Sequence, residues 1–356
     1  MIKVNKVNLK VTEHNKELGN SRLDFKISGP NINYIIANTI RRTIFSDIPV
    51  YAFNEFKFEK NSSVFHNNYL KLRLRHMPVW GIDNTVEFID YNIKTNNNDL
   101  EDIQEEDAED DNIELNVEKN LNTSNLKQFT MYVTAKNKSN DITTVSTADA
   151  KFYYDEKQIQ SPYKNPIPIV KLQPGQEIVF SAITKLGTEY EDAMFNVACI
   201  AGYKEVNPEE FNFFVESRGQ IDEKRIIYVA MINIERRMRF FLKLLLEDKI
   251  TDKTDKPKNT DKADKTDKTD KTDKTDTKIE GEIIVHNEDH TLGNLIARGL
   301  QLHPKVAFAG YNLPHPLAKK VHFHYKLEKP GDIKQIITEV IEYYSEIFTQ
   351  IKKAFE

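Results

Sequence analysis

Apolar residues recur along this chain with two periods, and each change of period marks a new element. Residues 2–10 and 22–28 alternate apolar and polar, which predicts strands. Ser28-Gly29-Pro30-Asn31 supplies a turn and helix-capping residues. The spacing then lengthens. Ile32, Ile36, Ile40 and Ile44, with Ile35 and Ala37 beside them, predict a helix over 32–46 with one buried stripe. Asn38, Arg41 and Arg42 fall on the opposite face, since steps of three and four return to one side of a helix. Period-2 alternation resumes in LKLRLRHMPV (70–79), and strand character is expected again over 127–134, 167–172 and 177–183. The turn Gln173-Pro174-Gly175-Gln176 joins the last two.

Residues 210–216 read as a strand and Arg218-Gly219 as its turn. A long helix over 222–248 follows, with Ile227, Met231, Ile234, Met238, Phe241 and Leu245 alternating in steps of four and three. That rhythm is the seam of a helix packed lengthwise on another helix. It returns at the other end of the chain. After a strand over 282–286 and a helix over 291–302 stopped by Pro304, a strand over 321–327 leads to Pro330-Gly331-Asp332. The final helix there carries Ile333, Ile337, Val340, Tyr344, Ile347, Ile351 and Ala354. Each seam could pack on its own domain's sheet, or each could be the other's partner.

Between the seams, residues 251–278 form a near-perfect Thr-Asp-Lys repeat with nothing apolar larger than alanine. Such a tract cannot bury enough surface to offset its ordering entropy, so a solvated, disordered linker is expected. As a flexible coil it spans roughly 30 Å and raises the local concentration of its ends to the order of mM, which favours pairing of the seams. A second polar stretch, 95–118, is rich in Asn, Asp and Glu and reads as an acidic insertion loop. The expected organisation is a discontinuous first domain (1–50 and 206–250), an inserted β-rich domain (51–205), the linker, and a small second domain (279–356).

Composition narrows the function. The 356 residues carry a formal net charge of -5, with 39% hydrophobic and 29% charged residues. This balance argues against a chain whose main task is wrapping nucleic acid, which usually leaves a basic footprint. Cys199 is the only cysteine, so no disulfide framework or thiolate metal cluster can form within one chain; it sits in an apolar run and reads as a small core residue. No apolar run approaches the roughly 18 residues of a membrane span, and the start of the sequence lacks the apolar region of a signal peptide. A soluble protein of a reducing, intracellular compartment is expected, with no cofactor, no metal and no catalytic residue of its own.

A motif appears twice. Ala37-Asn38-Thr39-Ile40-Arg41-Arg42 aligns with Gly293-Asn294-Leu295-Ile296-Ala297-Arg298: a small residue, then Asn, then Arg four positions on, near the start of a helix that leaves at a proline. An amide and a rigid guanidinium fork one turn apart suit a protein interface. The segment NYIIANTIRRTIFSDIPVYAF strongly resembles the signature helix of the α-type subunits of RNA polymerase, the third-largest subunit of the eukaryotic enzyme and its archaeal counterpart. KLQPGQEIVFSAITKLGTEYEDAMFNV is similar to that subunit's platform segment, and FNFFVESRGQIDEKRIIYVAM to its return into the first domain. NEDHTLGNLIARGLQLHPKVAFAGYNLPHPL resembles the small partner, the eleventh subunit.

The resemblance implies an α+β chain in which two α-subunit-like dimerisation halves form an intramolecular pseudo-dimer, with a β-rich domain inserted in the first. Such a fusion is similar to the arrangement in some large DNA viruses, which would place it in the host cytoplasm and virion. The implied role is a non-catalytic assembly scaffold for a DNA-directed RNA polymerase. Its implied partners are the two largest subunits and small polymerase subunits, with DNA reached only through the complex. The resemblance places Asn38, Arg41 and Arg42 against a large subunit, gives Asn294 and Arg298 the corresponding place in the smaller half, and matches Pro174, Gly175, Gln176 and Glu177 to the platform motif. Many relatives carry a metal-binding cysteine cluster in the inserted domain; this chain has none.

Three other readings stay open on the residues alone. His322 and His324 point to one side of a strand, with His286, His290, His303 and His315 in the same half, and a metal hydrolase could be imagined from them. No HExxH is present, no Asp or Glu lies within two residues of the pair, and exposed strand or turn histidines explain them more economically. A free-standing nucleic-acid module is disfavoured by the acidic charge and the lack of aromatic–basic interleaving. Intermolecular seams would make a homodimeric scaffold instead.

Overall fold

The computed structural model describes residues 4–15, 21–82, 86–89, 91–92, 118–119, 128–247, 251–252, 278–315 and 320–356. The acidic stretch 95–118 and the Thr-Asp-Lys linker lie almost wholly outside these residues. In chain order the elements begin with β1 (Asn8–Asn15), β2 (Arg22–Ser28), α1 (Tyr34–Ser46), β3 (Val50–Asn61) and α2 (Asn67–Arg75). Then come β4 (Tyr91–Asn92), β5 (Glu118–Lys119), β6 (Phe129–Lys136), β7 (Thr143–Ser146), β8 (Ala150–Tyr154), β9 (Lys157–Ile159), β10 (Pro168–Leu172) and β11 (Glu177–Gly187). β12 (Ala198–Asn207), β13 (Glu210–Ser217) and α3 (Glu223–Leu246) follow. The chain closes with β14 (Thr251–Asp252), β15 (Lys278–His286), α4 (His290–Leu302), β16 (Val306–Asn312), β17 (Lys320–Gly331) and α5 (Ile333–Lys353). The architecture is α+β.

Two compact units emerge. The first comprises Met1–Phe45, Ala198–Glu216 and Glu223–Glu356; the second, Ser46–Val197 with Ser217–Asp222. In the first, β1, β2, β13 and β12 form one sheet and β14, β15, β17 and β16 another. β2 pairs antiparallel with β13, Phe25 opposite Phe213 and Leu23 opposite Val215, so strands far apart in the chain join one sheet. Phe25 stacks on Phe213 with ring centroids 5.0 Å apart. The inserted unit ends at Val197, earlier than the expected 205, because β12 lies beside β13 in the first unit's sheet.

The second unit is built on the sheet β3-β11-β6-β8-β9 with a separate antiparallel pair of β7 and β10, and its core gathers Phe53, Phe129, Phe152 and Phe180 among other apolar residues. Polar ties brace its edge. Arg218 donates to the carbonyls of Met194, Asn196 and His76, while its own carbonyl accepts from Trp80 Nε1 at 3.1 Å. Trp80 packs at 5.1 Å on Tyr163, whose hydroxyl donates to the Pro78 carbonyl.

Several expectations need correction. LKLRLRHMPV is not a strand: residues 67–75 form α2, capped by the His66 side chain. Leu70 and Leu74, one turn apart, are buried, while Leu72, which strict alternation would have buried with them, is 56% exposed. The first strand begins at Asn8 instead of Ile2, since the Val7 N–H donates to the Gln350 side chain. Cys199 is exposed, not a core residue, because β12 is an edge strand, and in that run Val197, Ala198 and Ala201 are buried while Cys199 and Ile200 are not. The strand β16 was not anticipated.

Candidate assembly interface

α1 starts where Asn33 Oδ1 accepts from the N–H groups of Ile35 and Ile36, at 3.0 and 3.1 Å. This satisfies donors that the first helical turn leaves without partners. Ile32, Ile35, Ile36, Ala37, Ile40 and Ile44 are all buried, so the apolar stripe faces the core. The polar face divides. Arg41 donates through Nε and Nη2 to Asn38 Oδ1, and the half-buried pair stays on the helix surface. Arg42, one residue and about 100° further round, points elsewhere: Nε donates to Thr291 Oγ1 at 2.7 Å and Nη2 to Asp289 at 2.9 Å. The expectation that all three residues present one surface to a large subunit therefore changes for Arg42, which engages the head of α4 within the same chain.

Asp289 is the cap of α4, accepting from Thr291 N at 2.8 Å. Arg237 of α3 joins it, with Nη2 at 2.5 Å from Glu288 and 3.1 Å from Asp289. Burial by itself would raise the Asp289 pKa. Arg237, the Thr291 hydrogen bonds and Arg42 outweigh burial and hold the carboxyl well below the usual carboxylate range.

Along α4, two glycines mark close approach. A Cβ at Gly293 would meet the Tyr311 ring at 2.7 Å, and one at Gly299 would run into Val340 Cγ1 and lie 2.8 Å from Tyr344 of α5. Asn294 and Arg298 remain half-buried on the other face, where Arg298 donates to Gln301 of its own helix at 3.4 Å.

α3 and α5 pack on one another. Ile227, Met231, Ile234, Met238, Phe241 and Leu245 are all buried, as are Ile337, Val340, Tyr344, Ile347 and Ile351; Ile333 is half-buried and Ala354 exposed. Glu235, buried on α3, accepts from Thr349 Oγ1 at 2.9 Å and from Lys352 Nζ at 3.3 Å. Asn31 donates to the Tyr343 hydroxyl at 3.2 Å, and Phe25 meets Phe355 edge-on at 5.2 Å. Glu235, Glu288, Asp289 and Gly299 were missed from sequence. A charged residue is ordinarily a solvated one, which hid Glu235 and Glu288; Asp289, immediately before its helix, carried a capping signal, and nothing local distinguished Gly299.

In the second unit, the platform residues form the turn between β10 and β11. Gly175 adopts φ +81°, in the left-handed region that favours glycine. Pro174 and Gly175 are exposed. Gln176 accepts from the Gln173 N–H through Oε1, and the Glu177 carboxylate lies 3.6 Å from Lys60, so this half of the motif is used within the unit.

The histidines have nearer neighbours than the sequence suggested. Glu282 lies across the strand pair β15–β17, its Oε1 2.6 Å from His322 Nδ1, and His324 meets Asn312 Oδ1 at 3.2 Å. His290 meets the Tyr311 hydroxyl at 3.2 Å and buried His303 meets Glu339 at 3.3 Å. Burial lowers the His286 pKa, helped by Lys320 and His322. Glu282 also lies 3.7 Å from His324 Nε2, and His303 Nδ1 accepts from the Lys305 N–H at 3.3 Å. Among the described residues, no helix is long and apolar enough to cross a membrane.

Comparison with known proteins bears on both halves. Residues 280–354 match the RNA polymerase Rpb3/Rpb11 dimerisation domain. The chain is similar over 97% of its length to a protein described as a DNA-directed RNA polymerase subunit of Acanthamoeba polyphaga mimivirus, at 24% identity and covering 92% of that protein. DNA-directed RNA polymerase II subunit rpb3 of Dictyostelium discoideum is 26% identical over 53% of this chain, and rpb11 of the same organism 34% identical over 19%. The alignments span about half of those two relatives, 55% and 57%.

Proposed function

We infer that this chain, a fused Rpb3/Rpb11-like polymerase subunit, is a non-catalytic assembly scaffold of a multi-subunit DNA-directed RNA polymerase. Its two halves form an intramolecular pseudo-dimer that docks the two largest subunits and small polymerase subunits, and it meets DNA only through the complex. The observation that carries this reading is the alignment of one viral polymerase subunit across nearly the whole chain, both halves included. Two features support the pairing. The seams of α3 and α5 bury an apolar strip, and Arg42 of α1 and Arg237 of α3 donate to carboxylates at the head of α4.

A scaffold must present groups that its own fold leaves available. The Asn38–Arg41 pair, Asn294 with Arg298, and the outward Pro174-Gly175 turn are the proposed docking surfaces. An Arg held by a neighbouring amide is pre-organised for bidentate recognition of a carboxylate or backbone carbonyls. Arg41 is accordingly the residue to test, since replacing Arg42 would also disturb the contact with α4.

The experiment is an affinity pull-down of the tagged full-length chain from its native source, with co-purifying polypeptides identified by mass. Two very large partners at equal stoichiometry are expected, and Arg41→Glu should lose at least one of them without lowering the chain's Tm. Recovery of the chain alone, at the mass of one or two copies, would overturn the reading.

A further inference from the structure

The two halves repeat the same framework with different charge. Asn33 caps α1 and Asp289 caps α4, and nine residues after each cap stands an arginine, Arg42 in one and Arg298 in the other. On the long helices, Arg237 lies ten positions after the first seam residue Ile227, and Tyr343 ten after Ile333. The contacts follow the same correspondence. Arg237 and Arg42 reach the residues heading α4, while Tyr343 reaches Asn31, at the head of α1. At one end two guanidinium groups meet the carboxylates of Glu288 and Asp289. At the other, the equivalent positions in sequence are Arg298 and Tyr343 on one side and Asn31, Ile32 and Asn33 on the other, with no carboxylate among them; Asn31 donates to the Tyr343 hydroxyl.

We propose that this inequality is a selection device: Arg42 and Arg237 on the first half and Glu288 and Asp289 on the second make unlike halves match and like halves mismatch. The inference rests on the pseudo-dimer reading above. Pairing two first halves in the same geometry would set Arg42 and Arg237 against amides and Ile32 at both ends, gathering four cations with no carboxylate. Pairing two second halves would gather four carboxylates around two arginines. Only the unlike pair places two carboxylates between two guanidinium groups. Charge arranged this way discriminates between partners chiefly by penalising the wrong one. A linker only raises concentration and cannot distinguish like from unlike partners, so a fused chain still needs such a device to keep neighbouring chains from joining first half to first half.

The test uses the full-length chain. Asp289→Asn serves as background because it keeps a capping side chain, as Asn33 does in α1, and removes the charge. In that background Arg237→Glu opposes Glu288, Glu288→Arg opposes Arg237, and the two together reverse the pair. Each single change should lower Tm by about 5 °C or more or raise the light-scattering mass above one chain, and the reversed pair should recover at least half of that loss. No loss from either single change, or losses that simply add in the reversed pair, would overturn the selection device. Nitroxide labels at exposed Phe240 and Lys353, each replaced by Cys with Cys199→Ser, separate this from failure of the pairing itself. A narrow intrachain distance in the otherwise unchanged chain means that the halves pair. A broad one means that the pseudo-dimer reading has failed and the selection device with it.

Discussion

The long helices α3 and α5 share one apolar rhythm but bury different chemistry. α3 takes three polar side chains inward, Glu223 in its first turn and Asn233 and Glu235 along its length. Asn233 turns back to the Val229 carbonyl of its own helix at 3.0 Å, and Glu235 receives Thr349 and Lys352 from α5. α5 buries isoleucines, Phe348 and two tyrosines, with Tyr344 wholly enclosed. A repeated four-three pattern is enough to make a seam; the unequal polar groups make it a seam between particular partners. A carboxylate on one side is satisfied only by donors that the other supplies, and a buried charge left without them costs several kcal/mol.

The comparison can be broken most severely at Tyr344. Tyr344→Ala removes the largest fully buried side chain of α5 and should destabilise the first unit by about 4 kcal/mol, read as an earlier thermal transition of the full-length chain. Next comes Glu235→Ala, which leaves Lys352 and Thr349 without their acceptor. Because Lys352 keeps partial access to water, the expected loss is about 2 kcal/mol, and Glu235→Gln should recover the Thr349 contact but not the ion pair. A Glu235→Ala variant as stable as the parent would show that the α5 donors find water instead.

Acid sharpens the contrast at the heads of the helices. The folded-state pKa of Asp289 is depressed by its cationic neighbours, so its contribution to stability is fully present above the ordinary carboxylate pKa and is lost as pH falls through the lower, folded value. Melting temperatures taken from about pH 5 down to about pH 2, below the ordinary carboxylate pKa, should fall less steeply for Asp289→Asn than for the parent, and parallel curves would contradict the assignment. The smallest effect is expected at Tyr344→Phe. The Tyr344 hydroxyl is buried without a hydrogen-bond partner and burial raises its pKa, so removing it should change stability by less than about 1 kcal/mol, in the stabilising direction if at all.

Much of the fold was legible because periodicity reports on faces. The isoleucines of α1, the six seam residues of α3 and the inner five of α5 were identifiable from spacing alone, and all are buried. The errors have equally local causes. Leu70, Leu72 and Leu74 fit period 2 and period 4 together, and only the packing of Leu70 and Leu74 chose the helix. Cys199 sat in an apolar run, but whether such a run is core depends on the strand's place in its sheet. For the interface, the sequence pointed to Asn38, Arg41 and Arg42 as one group, whereas Arg42 leaves the group for α4. Its partners Asp289 and Thr291 lie far away in the chain, beyond any pattern of near neighbours.

By itself, then, the sequence determined the repeated framework: two capped helices, two long seams and an interrupting β-rich segment. These follow from spacing and composition, which act over a few turns or strands. Tertiary structure alone decided which charges meet. Arg42 and Arg237 converge on Asp289, and Glu235 on Lys352, because an ion pair is set by distances of a few ångströms between residues that the fold brings together.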